Sequence, residues 1–157
     1  MTQKTTYTGP KIALYQPDIP QNTAAIIRTC SCLGVGLEII EPCGFFLTDP
    51  RFKRVVMDYM DLSSIRFYKS YKDFEKAKYN KRVILATTKA NEIYTNFKYK
   101  KDDTLLFGRE SSGVPESLHK NIKYKIKIPM IESKRSLNLA TSAAIIISES
   151  LRQTLYQ

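Results

Sequence analysis

Short apolar runs and helically spaced apolar residues alternate along this chain. Lys11–Tyr15 (KIALY), Leu37–Ile40, Ile65–Tyr68, Arg82–Thr87 (RVILAT) and Thr104–Phe107 are compact apolar runs bounded by Pro, Gly or polar residues, which reads as buried strands. Between the first two, Ile26, Ile27, Cys30 and Leu33 recur at helical spacing. They predict a helix from about Thr23, with Asn22 as N-cap and Gly34 as the stop beyond its C-terminus. Pro42 and Gly44 open a loop that carries Phe45 and Phe46. Residues 50–60 form a short helical patch with Arg51, Lys53 and Arg54, and 71–79 a Lys-rich surface helix. Pro115 suits the first position of another short helix, at whose end His119 reads as a surface residue. The longest helix is expected over about 138–155, with Ala140, Ala143, Ala144, Ile147, Leu151 and Leu155 on one face. Its small early residues fit core packing or a closely packed partner subunit.

From Tyr124 to Ile128, Tyr124, Ile126 and Ile128 face one way, and Lys123, Lys125 and Lys127 the other. Two readings stand: lysines guarding the edge of a sheet, or a basic stripe for RNA. Strands alternating with helices predict an α/β fold, a mostly parallel sheet covered by helices on both sides. In such sheets ligands bind beyond the C-terminal ends of strands. The unusual strand ends here fall after Ala86, at Gly108 and after Ile128.

A length of 157 residues fits one domain, read as 11–157 with residues 1–10 as an N-terminal extension open to disorder. The apolar fraction of 43% is that of a globular chain. No apolar run is long enough to span a membrane, and MTQKTTYTGP lacks the apolar core of a signal peptide, so a cytoplasmic protein is expected. Cys30, Cys32 and Cys43 are odd in number and not spaced for zinc. They read as reduced thiols, with Cys30 and Cys32 pointing apart. A single histidine argues against a His-ligated metal and a Ser–His–Asp triad, so no metal is expected. The formal net charge is +10, which points to a polyanion, most simply nucleic acid. Most of that excess lies after Asp49, in clusters running from Arg51 to Lys127.

LLFGRESSGVP (105–115) and IPMIESKRSLNLATSAA (128–144) carry the most information. Neither holds G-x-G-x-x-G. The gap from Gly108 to Gly113 suits a P-loop, but Val114 and Pro115 stand where Lys and Ser/Thr belong. Together with QPDIPQNTAAIIRTCSCLG (16–34), these motifs make the chain resemble the SPOUT class of RNA methyltransferases from Lys11 onward. LYQPDIPQNT and IIEPCGF (39–45) narrow the resemblance to the short tRNA wobble-ribose 2′-O-methyltransferases.

That resemblance implies an α/β fold with a C-terminal trefoil knot, a feature that sequence pattern alone would not suggest. It implies S-adenosylmethionine as cofactor, tRNA as partner, and a homodimer through the C-terminal and first helices. Ala86, Gly108 and Ile128 would lie against adenine and ribose. Ser136, Leu137 and Asn138 would close the methionine end, and Glu110 would hold a ligand or order its own loop. Gly108 would let a flat base approach the backbone. Asn22, Arg28, Ser136 and Asn138 are the implied catalytic residues. Because a guanidinium stays protonated, Arg28 is better cast as a clamp for phosphate and forming alkoxide than as a base. Glycine is common in relatives where Ala24 or Ala25 stands here, a small departure.

The expected activity is 2′-O-methylation of the ribose at tRNA position 34, on cytidine or a modified uridine, in leucine tRNAs. Two alternatives stay open: the same chemistry at another tRNA or rRNA site, and a basic RNA-binding module without catalysis.

Overall fold

The computed structural model describes residues 8–59, 61, 64–134 and 136–156. Its strands are β1 (Lys11–Tyr15), β2 (Leu37–Ile40), β3 (Ile65–Tyr68), β4 (Val83–Ala86), β5 (Thr104–Phe107) and β6 (Tyr124–Ile126). Its helices are α1 (Pro20–Leu33), α2 (Pro50–Tyr59), α3 (Tyr71–Ala77), α4 (Glu116–Asn121) and α5 (Leu139–Thr154). The strands form one sheet in the order β3-β2-β1-β5-β4-β6, and every pairing is parallel.

Alternation along each strand divides the core between the two faces of the sheet. Ile12 and Leu14 of β1, Leu37 and Ile39 of β2, and Leu105 and Phe107 of β5 point to one face. There they meet Ile26, Ile27 and Cys30 of α1, Phe52 and Val56 of α2, and Ile146, Ile147 and Leu151 of α5. Ala13, Tyr15, Ile40, Leu85 and Leu106 point to the other face, against Phe74 of α3 and Leu118 of α4. Helices thus cover both faces, as expected of parallel strands that are apolar throughout. Glu38 interrupts the second face. It is buried and pairs with Lys78, at the C-terminal end of α3.

Several boundaries differ from the sequence-based reading. α1 begins at Pro20 with Ile19 as N-cap and no side-chain cap bond, so Asn22 lies inside the first turn. Proline at the first helical position sets this start, because its missing N–H costs nothing there. Gly34 ends α1 as expected, in the left-handed region at φ 68°, with its N–H on the Cys30 carbonyl. Asn138 caps α5. Of the small residues on α5, Ala143 is core and Ala140 packs beside it, while Ala144 is half-buried. Phe45 is half-buried on Phe52, with ring centroids 5.4 Å apart, and only Phe46 projects, at 83% exposure. Within the expected N-terminal extension, residues 1–7 lie outside the described residues. Pro10 is buried, and a Cβ on Gly9 would stand 2.9 Å from Leu155 Cδ1, so this stretch lies against the end of α5.

The strand order reverses between β1 and β5: β2 and β3 extend one way, β4 and β6 the other. A crevice at the C-terminal ends of the strands is expected beside such a switch point.

Candidate active site

A cleft of about 530 Å³ opens at the C-terminal ends of β4, β5 and β6, within the range of small-molecule sites. Its floor is apolar, from Leu85, Phe107, Ile126 and Ile146, and its rim carries Ile128, Met130 and Leu137.

Each wall begins where a strand runs out. At the end of β5, Arg109 and Gly113 exchange backbone hydrogen bonds, N–H to carbonyl at 3.1 and 2.9 Å, folding the loop back on Gly108. A Cβ on Gly108 would lie 2.7 Å from both the Gly113 carbonyl carbon and its Cα. Glycine is therefore required by the loop's own backbone, whereas the sequence suggested room for a ligand base. Gly113 completes the turn at φ 67°, a conformation that favours glycine.

At the end of β4 the Thr87 N–H donates to the Ile126 carbonyl at 2.9 Å. The Thr87 hydroxyl accepts from the Lys89 N–H at 3.2 Å and stands 3.3 Å from His119 Nε2. His119 was expected on the surface. It is half-buried and lines the cleft, because α4 brings its ring to the Thr87 hydroxyl beyond β4. Lys127, just beyond β6, donates its N–H to the Glu92 carbonyl and accepts from the Tyr94 N–H, both at 2.9 Å. The strand end is thus tied to the loop that follows β4.

The remaining wall comes from residues 136–139. The Asn138 side-chain Oδ1 accepts from the N–H groups of Ala140 and Thr141, at 2.9 and 3.2 Å. Its amide nitrogen donates to Asn22 Oδ1 at 3.0 Å. One side chain therefore caps α5 and joins it to the first turn of α1.

Among the residues singled out from sequence, Asn22, Ala86, Gly108, Glu110, Ile128, Ser136, Leu137 and Asn138 all line this cleft. Arg28 does not. It is exposed on α1, its guanidinium 4.9 Å from the centroid of the Tyr59 ring. About 100° of turn per residue puts Arg28 on a ridge with Gln21 and Cys32, away from the face that carries Asn22. Thr87, Lys89, Arg109, His119 and Met130 line the cleft without having been singled out. The Thr87–Thr88 pair after an apolar strand was a usable signal for the first of these. Nothing local marked His119.

The electrostatics centre on Glu110. Its Oε2 accepts from the Asp18 N–H at 2.6 Å, while its Oε1 is buried with no hydrogen-bond partner. Asp18 is held down to about 2 by its hydrogen bond from Arg109, helped by bonds from Ser111. Burial pushes the Cys43 thiol up to about 12, with Glu41 and Glu110 adding to the rise. Among the described residues, no group of three or more His, Cys, Asp or Glu is placed to hold a metal ion.

A sequence model of the SpoU rRNA Methylase family matches residues 10–148. The chain belongs to this family. The matched stretch takes in every wall of the cleft, from Ile19 to Ile146. One relative, a tRNA (cytidine(34)-2'-O)-methyltransferase from Beijerinckia indica subsp. indica, is 45% identical over 144 residues, 90% of each chain. A solved structure bearing on the 2-OH methylation of C/U34 on tRNA superposes with a TM-score of 0.87 at 35% identity, covering 94% of this chain and 97% of that one. The fold is also that of an AdoMet-bound rRNA methyltransferase from Sinorhizobium meliloti, with TM-score 0.83 and 24% identity, over 94% of this chain and 57% of that one.

Proposed function

We propose that this chain methylates the ribose 2′-oxygen of the wobble nucleotide, position 34, of tRNA. Cytidine or a modified uridine in leucine tRNAs is the target, and S-adenosylmethionine is the donor. The observation that carries the reading is the near full-length likeness to a tRNA (cytidine(34)-2'-O)-methyltransferase, over a stretch that includes the whole cleft.

The cleft suits the cofactor. The apolar lining from Ile126, Ile128, Met130 and Leu137 fits a flat base, and backbone groups at three strand ends surround it. The orphaned Glu110 Oε1 awaits a donor from a ligand. When bound, S-adenosylmethionine supplies a methyl on a sulfonium, already a strong electrophile. The protein's share is then alignment and charge. Ala86, Gly108, Glu110, Ile128, Ser136 and Leu137 hold the cofactor. Asn22, Ser136 and Asn138 order the side of the cleft where the ribose enters. Arg28 clamps the neighbouring phosphate from the exposed ridge of α1.

Residues 11–157 act as one catalytic domain whose C-terminal part is threaded as a trefoil knot. Two copies pair through α1 and α5, in the cytoplasm. A net charge of +10 favours a polyanionic substrate. Among the described residues no helix is long and apolar enough to cross a membrane.

The test is nucleoside mass spectrometry of bulk tRNA after incubation with the protein and S-adenosylmethionine carrying an isotopic methyl. Label in 2′-O-methylcytidine or a 2′-O-methylated uridine, mapped to position 34, is the expected result. Label in a base would overturn the ribose assignment, and label at another ribose would overturn the position.

A further inference from the structure

Three loops of the chain converge on Asp18. Its carboxylate accepts from Arg109 Nε at 3.0 Å and from Arg109 Nη2, from the Ser111 N–H at 3.1 Å, and from Ser111 Oγ at 2.6 Å. Its own N–H donates to Glu110 Oε2 at 2.6 Å. Three consecutive residues of the β5–α4 loop are thus held by one residue of the β1–α1 loop. The β2–α2 loop closes the node: the Gly44 N–H donates to the Pro17 carbonyl at 2.8 Å, and a Cβ on Gly44 would stand 2.9 Å from the Asp18 Cα. Just upstream, Gln16 takes a φ of 42°. Such backbone strain persists only where the surroundings over-determine it.

The two carboxylates of this node are served very differently. Asp18 is saturated with donors. Glu110 has one oxygen on the Asp18 N–H and the other buried without a partner. A buried, unpaired carboxylate oxygen is costly. Its position is set by Asp18, both through the bond to Oε2 and through the grip on residues 109 and 111 on either side. Asp18 also stands two residues before Pro20, where α1 starts with Asn22 in its first turn.

Resting on the reading of the cleft as an S-adenosylmethionine site, we infer that Asp18 is a positioning residue. Through Arg109 and Ser111 it fixes the β5–α4 loop so that Glu110 Oε1 meets an N–H or O–H donor of the bound cofactor. Nothing in the β5–α4 loop sequence alone would place a carboxylate from the β1–α1 loop in that role.

Calorimetric titration with S-adenosylmethionine tests this without RNA. Glu110→Gln should weaken binding by tenfold or more. Asp18→Asn, which keeps the backbone N–H but loses the ion pair and turns a donor toward Ser111, should weaken it severalfold. If Asp18 acts through Glu110, the double variant binds within about twofold of Glu110→Gln alone, because residues acting as a unit are not additive. Effects that multiply in the double variant would overturn the inference. So would wild-type affinity in Asp18→Asn with only a lower melting temperature. Should Asp18→Asn fail to fold, Ser111→Ala removes a single bond to the same carboxylate. It should show the same non-additivity with Glu110→Gln at smaller amplitude, and a multiplying effect would again sink the idea. Wild-type protein that binds no S-adenosylmethionine would sink the functional reading itself, whereas normal wild-type binding with an indifferent Asp18→Asn sinks only the positioning role.

Discussion

A single methyl group added at Gly108 has nowhere to go. The obstacle at 2.7 Å is the backbone of Gly113, held there by two hydrogen bonds, and backbone yields less readily than the end of a side chain. Gly108→Ala should therefore destabilise the protein by about 1–3 kcal/mol, the usual cost of overpacking. It should also weaken S-adenosylmethionine binding; urea denaturation and calorimetry read the two effects. Asp18 gives a prediction in pH. Its carboxyl is lowered from 3.8 to about 2, so its contribution to stability is full above 3.8 and disappears as pH falls through 2. Stability curves of the wild type and Asp18→Asn, measured by urea denaturation, should differ at neutral pH and converge between pH 4 and 2. A constant gap down to pH 2 would contradict the ionic part of the node. The thiols separate similarly. Burial pushes Cys30 up to about 12 and half-burial beside two carboxylates does the same for Cys43, while Cys32 is exposed. Ellman's reagent should find only Cys32 readily in the native protein. At this scale the sequence marked Gly108 and Asn138 as site residues but not the neighbours they serve, which are the backbone of Gly113 for the first and the first turn of α5 with Asn22 for the second. It was silent on Asp18 with Arg109 and on Thr87 with His119, since those pairs form only when separate loops meet.

Elements were more legible than residues, because an apolar strand or an amphipathic helix carries its pattern locally. β1, β2, β3 and β5 fall on the runs KIALY, LEII, IRFY and TLLF. β6 stops at Ile126, not Ile128, because the chain there leaves β4 to pair with the loop at 92–94 and to line the cleft. The start of α1 was read too late because Asn22 has the chemistry of a cap. In the structure that amide is committed to Asn138 instead. Asn138 therefore serves both α5 and the contact with α1. Replacing it with alanine should cost about 1 kcal/mol for the lost cap. It should also reduce turnover more than cofactor affinity, since Asn22 loses its support. A stopped assay at saturating S-adenosylmethionine, set beside thermal melting, separates the two. Loss of stability with unchanged turnover would leave Asn138 a cap and nothing more.

At the scale of the whole molecule, Arg28 poses the sharpest question. A single chain brings Asn22, Glu110, Ser136 and Asn138 to one cleft but leaves Arg28 on another face of α1, resting on Tyr59. If α1 and α5 form the proposed homodimer interface, that face lies next to the second copy, and Arg28 can serve the partner's cleft. Subunit mixing decides the matter. Arg28→Ala should retain cofactor binding and lose turnover, and Gly108→Val should lose cofactor binding while light scattering still reports a dimer. Each variant alone is then inactive. In a heterodimer that assembles by exchange, one cleft is intact and faces an intact Arg28 from the other chain, so activity reappears on mixing. Persistent inactivity in mixtures shown to contain heterodimers would place Arg28 in the service of its own cleft. The side chain would then have to leave Tyr59 when RNA binds.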